Sequence, residues 1–267
     1  MNTLELDGSR YSGSGTIVRT GLTFAALKNI PLRIVRIREK RPSPGLRAQH
    51  VTFVHALSQL AGGRVAGLGV GAQELIFFPG KRTQAANYEW YLGPWGSATL
   101  LAVALLPLLI FSPEPAFVRV RGGLRHDYAP SPEHLEFVLM PSLLKMGVNF
   151  RLKIHEPDEI KIEIGPLETP LKPVRILEET VNPFLADQLI PYAALAEGES
   201  EYLLPEMTGH VESNLWLIET LLGASYRRDG LRLKIQGIAL APSLKRGQTP
   251  GLIPFEDGSG KILRLSI

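Results

Sequence analysis

Cysteine is absent from the 267 residues. Disulfides, thiolate nucleophiles and cysteine-based zinc sites are excluded with it. Strong net charge is lacking as well: the formal balance is only +3. Any nucleic-acid contact must therefore come from a local basic patch rather than from the whole surface. Long apolar runs are missing too. The longest, Ala98 to Phe111, is too short to span a bilayer and contains Pro107, which predicts a buried helix. The first residues, MNTLELDGSR, carry acids and no apolar stretch, the opposite of a signal peptide. Histidines are few and lack metal-ligand spacing; His50 and His55 do not share a helix face. These absences predict a cytoplasmic protein with no membrane contact and no disulfide partner.

What is present is an ordinary globular composition, 45% apolar, with length enough for one large domain or two small ones. The most informative stretch is RIVRIREKRPSPGLRAQH, Arg33 to His50. It opens as an alternating strand, breaks at Pro42, Pro44 and Gly45, and restarts as a helix near Gln49. Arg33, Arg36, Arg38, Lys40, Arg41 and Arg47 stand there against one anion, Glu39. Proline and glycine fix such a loop, and a guanidinium fork fits phosphate oxygens two at a time. Composition alone would make it a solvated basic loop.

Along the chain, TLELDGS predicts a short strand, YSGSGT a glycine turn, and Ile17 to Leu27 a helix. Gly13 and Gly15 precede that helix N-terminus, where free amides favour an anion, and Arg19 lies one turn in. A helix over 49–60 and two strands within GGRVAGLGVGAQELIFFPG follow. Then come the apolar helix, the strand AFVRVRGG, a helix over 132–146, and the strands NFRLKIHE and IKIEIG. Helices over 183–195 and 210–222 and the strands LRLKIQGIAL and KILRLSI complete the pattern. Helix–strand then helix–strand–strand recurs, which predicts an α+β fold of related units, about 1–95, 96–170 and 171–267. The Pro-rich segment 165–176, GPLETPLKPVRI, is the expected linker or insertion point.

Five blocks in order carry a resemblance: LDGSRYSGSGTIVRT, IREKRPSPGLRAQH, GSATLLAVALLP, RGGLRHDYAP and FLADQLIPYAAL. Together they resemble the RNA 3'-terminal phosphate cyclase family. The resemblance implies repeated βαβαββ-type units with helices packed on four-stranded sheets, an architecture shared with enolpyruvate transferases. It implies ATP-dependent conversion of an RNA 3'-phosphate to a 2',3'-cyclic phosphate through a histidine–AMP intermediate. ATP and a divalent metal, Mg or Mn, would be the cofactors, and RNA 3' ends the partner; a homo-oligomer is compatible with it.

The family's His-x-x-Thr-Asn stretch matches His210, Ser213 and Asn214, which makes His210 the expected nucleophile; neutral imidazole is suited to that task at pH 7. Arg19, Arg38 and Arg41 match arginines expected on ATP or RNA phosphates, with Gln49 beside them. Phe184 and Pro130 match positions expected to flank adenine, and Asp187 and Gln188 match the family's ADQ, Asp187 either orienting His210 or binding nucleotide. Arg36, Lys40, Arg47 and His50 are the expected RNA contacts. Three positions depart from the family: Ser12 replaces a metal-binding glutamate, Val103 a glutamine, and Ser43 a lysine. The small domain that members carry between the second and third units is absent near 165–176. The metal ligand is thereby unassigned, with Glu74 and Asp127 as acids that could serve. The alternatives are a non-catalytic cyclase-like protein that binds RNA or a ribosome-assembly partner, and a transferase of the enolpyruvyl type.

Overall fold

A computed structural model describes residues 3–81, 87–93 and 96–242. Three four-stranded sheets are built on one plan. In the first, β1 (Leu4–Asp7), β2 (Leu32–Val35), β3 (Arg64–Ala66) and β4 (Leu75–Phe78) lie in the order β1-β2-β4-β3. β5 (Asn87–Tyr91), β6 (Ala116–Arg121), β7 (Phe150–His155) and β8 (Glu159–Ile164) lie in the order β5-β6-β8-β7. β9 (Arg175–Thr180), β10 (Glu199–Leu203), β11 (Ser225–Asp229) and β12 (Arg232–Gln236) repeat the pattern as β9-β10-β12-β11. In each sheet the first two strands are parallel and the rest antiparallel. A parallel pair needs a crossover, and a helix supplies it every time.

Those helices are α1 (Gly15–Lys28), α3 (Ala98–Ile110) and α6 (Pro183–Leu195). The second helix of each unit is α2 (Ala48–Ala61), then α4 (Pro132–His134) running through a π turn (Leu135–Leu139) into α5 (Met140–Lys145), and last α7 (Gly209–Leu217) with its own π turn (Ile218–Leu222). The repeated α+β architecture is the one expected. α1 packs on α2, α3 and α7, and α6 packs on α7, so the helices meet in the middle. α3 is apolar on nearly every side and is correspondingly buried on nearly every side. β6 alternates, with Val118 and Val120 buried against the helices and Arg119 and Arg121 exposed.

The differences from expectation are local. β5, β9, β10 and β11 carry weak apolar alternation and were not expected; β5 hydrogen-bonds to β6, which moves the start of the second unit ahead of residue 95. The 165–174 connection is not an open linker, because Leu167, Leu171 and Val174 are buried in the core. The expected terminal strand KILRLSI lies outside the described residues.

Candidate active site

Two helix N-termini converge to make the site. α1 starts at Ser14, whose hydroxyl accepts from the Thr16 N–H at 3.2 Å, and α7 starts at Thr208, whose hydroxyl accepts from Val211 N–H at 3.2 Å. Such caps leave further first-turn amides free for an anion. The glycine turn ties the two ends together. Ser12 Oγ lies 2.8 Å from Ser213 Oγ and 3.0 Å from Ser14 Oγ, and Ser213 donates to the Gly209 carbonyl at 2.7 Å. The junction is close at Gly209, where a Cβ would sit 3.2 Å from Ser12 Cα, tighter than most Cβ contacts.

The junction sets His210 beside Thr16, with Nδ1 2.8 Å from Thr16 Oγ1. His210 makes no other hydrogen bond among the described residues, so Nε2 is the nitrogen left for the cleft that His210 lines. Partial desolvation, then the charges of Arg19 and Arg41, hold the imidazole pKa below its usual value and favour the neutral form.

The backbone of the arginine loop is held firmly, although Arg36, Lys40 and Arg47 are exposed. Ile37 N–H donates to the Gln73 carbonyl, Leu46 N–H to Ala72 and Gly71 N–H to Leu46, which stitches it to the β3–β4 connection. Gly45 adopts φ +76, and any side chain on it would strike the Gly71 backbone. Arg38 donates to the carbonyls of Gly45 at 3.1 Å and Ser43 at 3.3 Å, and Arg41 donates to the Ser12 carbonyl at 2.8 Å. Their charge is directed without being cancelled.

Arg19 lines the cleft and makes no ion pair among the described residues. Burial lowers its pKa to about 10, still well charged at neutrality, with Asp187 favouring and Arg38 opposing the charge. Asp187 is pushed up to about 7 by burial, against the attraction of Arg19.

The cleft encloses about 290 Å³. Of the expected site residues it brings together Arg19, Pro130, Phe184, Asp187, Gln188 and His210. Phe184 is 42% exposed, an open ring face at the α6 N-terminus. Beneath it His134 bonds Gln188 Oε1 through Nε2 at 2.8 Å and meets the Asn182 amide through Nδ1 at 3.3 Å, while Asn182 also caps α6. Asn214 donates to the Asp187 carbonyl at 2.9 Å. Its Oδ1 and the Tyr192 hydroxyl are buried without partners among the described residues, and both residues line the cleft. Unpaired buried polar atoms are uncommon and call for an occupant. Gln49 borders a small adjoining cavity together with Arg19.

Several expectations are redirected. Thr16, not Asp187, orients His210. His50 is 2% exposed and accepts the Arg47 N–H at Nδ1, 2.9 Å away. Burial, then Arg19, Arg38 and Arg47, depress its pKa to about 3. It is a neutral internal cap whose other nitrogen lies against Gly15, and RNA has no access to it. Arg36 is turned to Asp7 in an ion pair beside the first sheet. Lys40 and Arg47 are exposed. Glu74 is paired with Arg33 at 2.8 Å, and Asp127 is exposed. Thr16, His134 and Asn182 were not singled out in the sequence, because only tertiary contacts across 48 to 194 residues give them a role.

The fold and the site together define a protein of repeated βαβαββ units with a histidine and arginine cleft where the units meet. The chain belongs to the RNA 3'-terminal phosphate cyclase family, which matches residues 10–227. It is 36% identical over 185 residues to the RNA 3'-terminal phosphate cyclase of Staphylothermus marinus, covering 67% of this chain and 52% of that protein. The Hyperthermus butylicus cyclase is 38% identical over 180 residues, 65% of this chain and 50% of the other. This chain thus spans about half the length of those relatives. The Pyrococcus abyssi cyclase aligns over 329 residues at 26% identity, covering 85% of this chain and 95% of its own. Among solved structures, EPSP synthase from Acinetobacter baumannii superimposes with TM-score 0.56 at 15% identity, covering 88% of this chain and 47% of its own. The enolpyruvyl transferase NikO from Streptomyces tendae gives 0.53 at 16%, covering 89% and 48%. These two share the fold. No helix among the described residues is long and apolar enough to cross a membrane.

The residues present fit a nucleotide: Arg19, the N-termini of α1 and α7, the exposed ring of Phe184 and the unpaired Asn214 and Tyr192 atoms all border one cleft. They do not fit a protein-held divalent cation. No group of three His, Asp or Glu side chains among the described residues could hold one, and the Ser12 hydroxyl is spent on Ser14 and Ser213.

Proposed function

We propose that the chain is an ATP-dependent RNA 3'-phosphate cyclase in which His210 carries the nucleotide. The observation that supports this most is the Thr16–His210 bond, which leaves Nε2 free beside Arg19 and Arg41. In this reading Nε2 attacks the α-phosphorus of ATP, the bond to pyrophosphate breaks, and Nδ1–H continues to donate to Thr16. An oxygen of the RNA 3'-phosphate then attacks the same phosphorus, the P–N bond breaks, and His210 returns neutral. Last, the 2'-hydroxyl oxygen attacks the RNA phosphorus, its proton passes to solvent, and AMP leaves.

Arg19, Arg38 and Arg41 match the charge that grows on departing pyrophosphate, where fixed cations help most. Phe184 offers a stacking face for adenine with Pro130 opposite, and His134 holds Gln188 in a set orientation beside them. Lys40 and Arg47 are the exposed cations for the RNA strand. A Mg or Mn ion in this scheme arrives on the triphosphate, and no step is assigned to it. The alignment with the Pyrococcus abyssi protein, 329 residues, is longer than this chain of 267, so that relative has residues without counterpart here. We read the packed connection at 165–174 as the place where they are missing.

The test is incubation with ATP labelled at the α-phosphate, beside a His210→Ala variant. Acid-labile label on the wild type and none on the variant is the expected result. A wild type that stays unlabelled, with Mg or Mn supplied, would defeat the reading.

A further inference from the structure

Outside the cleft, three planar groups are gathered on one rim. The Arg10 guanidinium lies 4.7 Å from the Trp216 ring centre and 5.3 Å from that of Tyr11. The two rings are 5.8 Å apart and tilted by 48°. Arg10 makes no ion pair among the described residues, and Tyr11 is 49% exposed. Tyr11 also holds φ +45, a conformation that an aromatic residue adopts at a cost. Trp216 is partly buried against the core, whereas Arg10 and Tyr11 are exposed.

The rim is joined to the site by α7. His210, Ser213 and Trp216 follow one another at three-residue steps along that helix, which places Trp216 about 9 Å from His210 at the helical rise. Ser213 is the residue bonded to Ser12, the neighbour of Tyr11, and Arg41 donates to the Ser12 carbonyl. Glu212 and Glu219 are spaced four before and three after Trp216 on the same helix, and with Tyr11 they act on Tyr226.

We infer that Arg10, Tyr11 and Trp216 form a stacking platform for a base of single-stranded RNA close to its 3' end. Stacking on aromatic and guanidinium planes accepts any base, and the unpaired cation answers the adjoining phosphate. The platform selects an unpaired end: a base in a duplex has no free face to give. This rests on the reading of His210 as the group that meets the RNA terminus.

The experiment uses a 3'-phosphorylated single-stranded RNA with 2-aminopurine next to the last nucleoside, titrated without ATP. Binding should quench the probe, and Tyr11→Ala or Trp216→Leu should weaken affinity about tenfold, while Tyr11→Phe keeps both. Equal affinity and quenching in Tyr11→Ala and the wild type would overturn the platform, as would equal affinity for blunt duplex. Labelling of His210 by ATP alone, in the same variants, separates the two proposals. Label with RNA binding indifferent to Tyr11 removes the platform only. Tyr11-dependent RNA binding without label removes the cyclase reading and keeps the platform.

Discussion

The arginines of the sheets and the arginines of the cleft have the same chemistry and opposite surroundings. On the first sheet Arg33 bonds Glu5 and Glu74, each at 2.8 Å, and on the third Arg227 bonds Glu199 at 2.6 Å and Arg232 bonds Glu201 at 2.9 Å. Each of these charges is cancelled in place. In the arginine loop Arg38 and Arg41 bond only backbone carbonyls among the described residues, and in the cleft burial raises the pKa of Asp187, the acid that acts on Arg19. Desolvated cations without a full counter-charge are costly to the fold. Their persistence marks where an anion is meant to bind, and their number follows a polyphosphate better than a single carboxylate.

The largest effect that sharpens this contrast should come from Arg19→Met, which keeps much of the side-chain volume and removes the charge. Labelling of His210 by ATP should slow by about two to three orders of magnitude, the range seen when one fixed donor is taken from a developing negative charge. A loss under fivefold would mean that Arg19 balances Asp187 structurally and does nothing for the nucleotide.

A middle-sized effect concerns pH. The His210 pKa is lowered by desolvation first and by Arg19 and Arg41 after it. Only the neutral ring attacks, so labelling should fall as pH drops through a midpoint below the ordinary histidine value of 6.5. In Arg41→Gln one repelling charge is gone while desolvation stays, and the midpoint should move upward. An acid limb that does not move in this variant would show that Arg41 does not act on the ring. Initial labelling rates at saturating ATP across pH 5 to 8 decide it.

The arrangement was unevenly legible in the sequence. α1, α2 and α6 announce themselves by apolar pattern, and α3 by an unbroken apolar run. β11, SYRRD, has almost every residue exposed and offers no alternation to read. β10 hides the reverse way: Ser200 and Glu201 are buried although they are polar, Glu201 because Arg232 and Lys234 reach it. In the site, His210 and the arginines stood out by residue type and order. Thr16 did not, because a threonine in a first helical turn has no signature and its partner lies 194 residues away. His50 stood in a basic stretch and was assigned to RNA, yet burial makes it an internal cap. Pattern shows what a residue can do; only packing decides which way it faces.

The smallest effect is expected on the sheets, and it completes the comparison. Arg227→Gln removes a guanidinium whose side chain is 75% exposed, leaving Glu199 beside Lys234 at 3.8 Å. An exposed pair of this kind contributes about 0–1 kcal/mol, because solvent screens both charges and ordering two long side chains offsets the attraction. Urea unfolding should shift by no more than that, and His210 labelling should match the wild type. Should Arg227→Gln depress labelling as Arg19→Met does, the separation between cancelled and uncancelled arginines would not be the feature that defines the site. The outward sheet cations would then have to be counted as part of a continuous RNA surface.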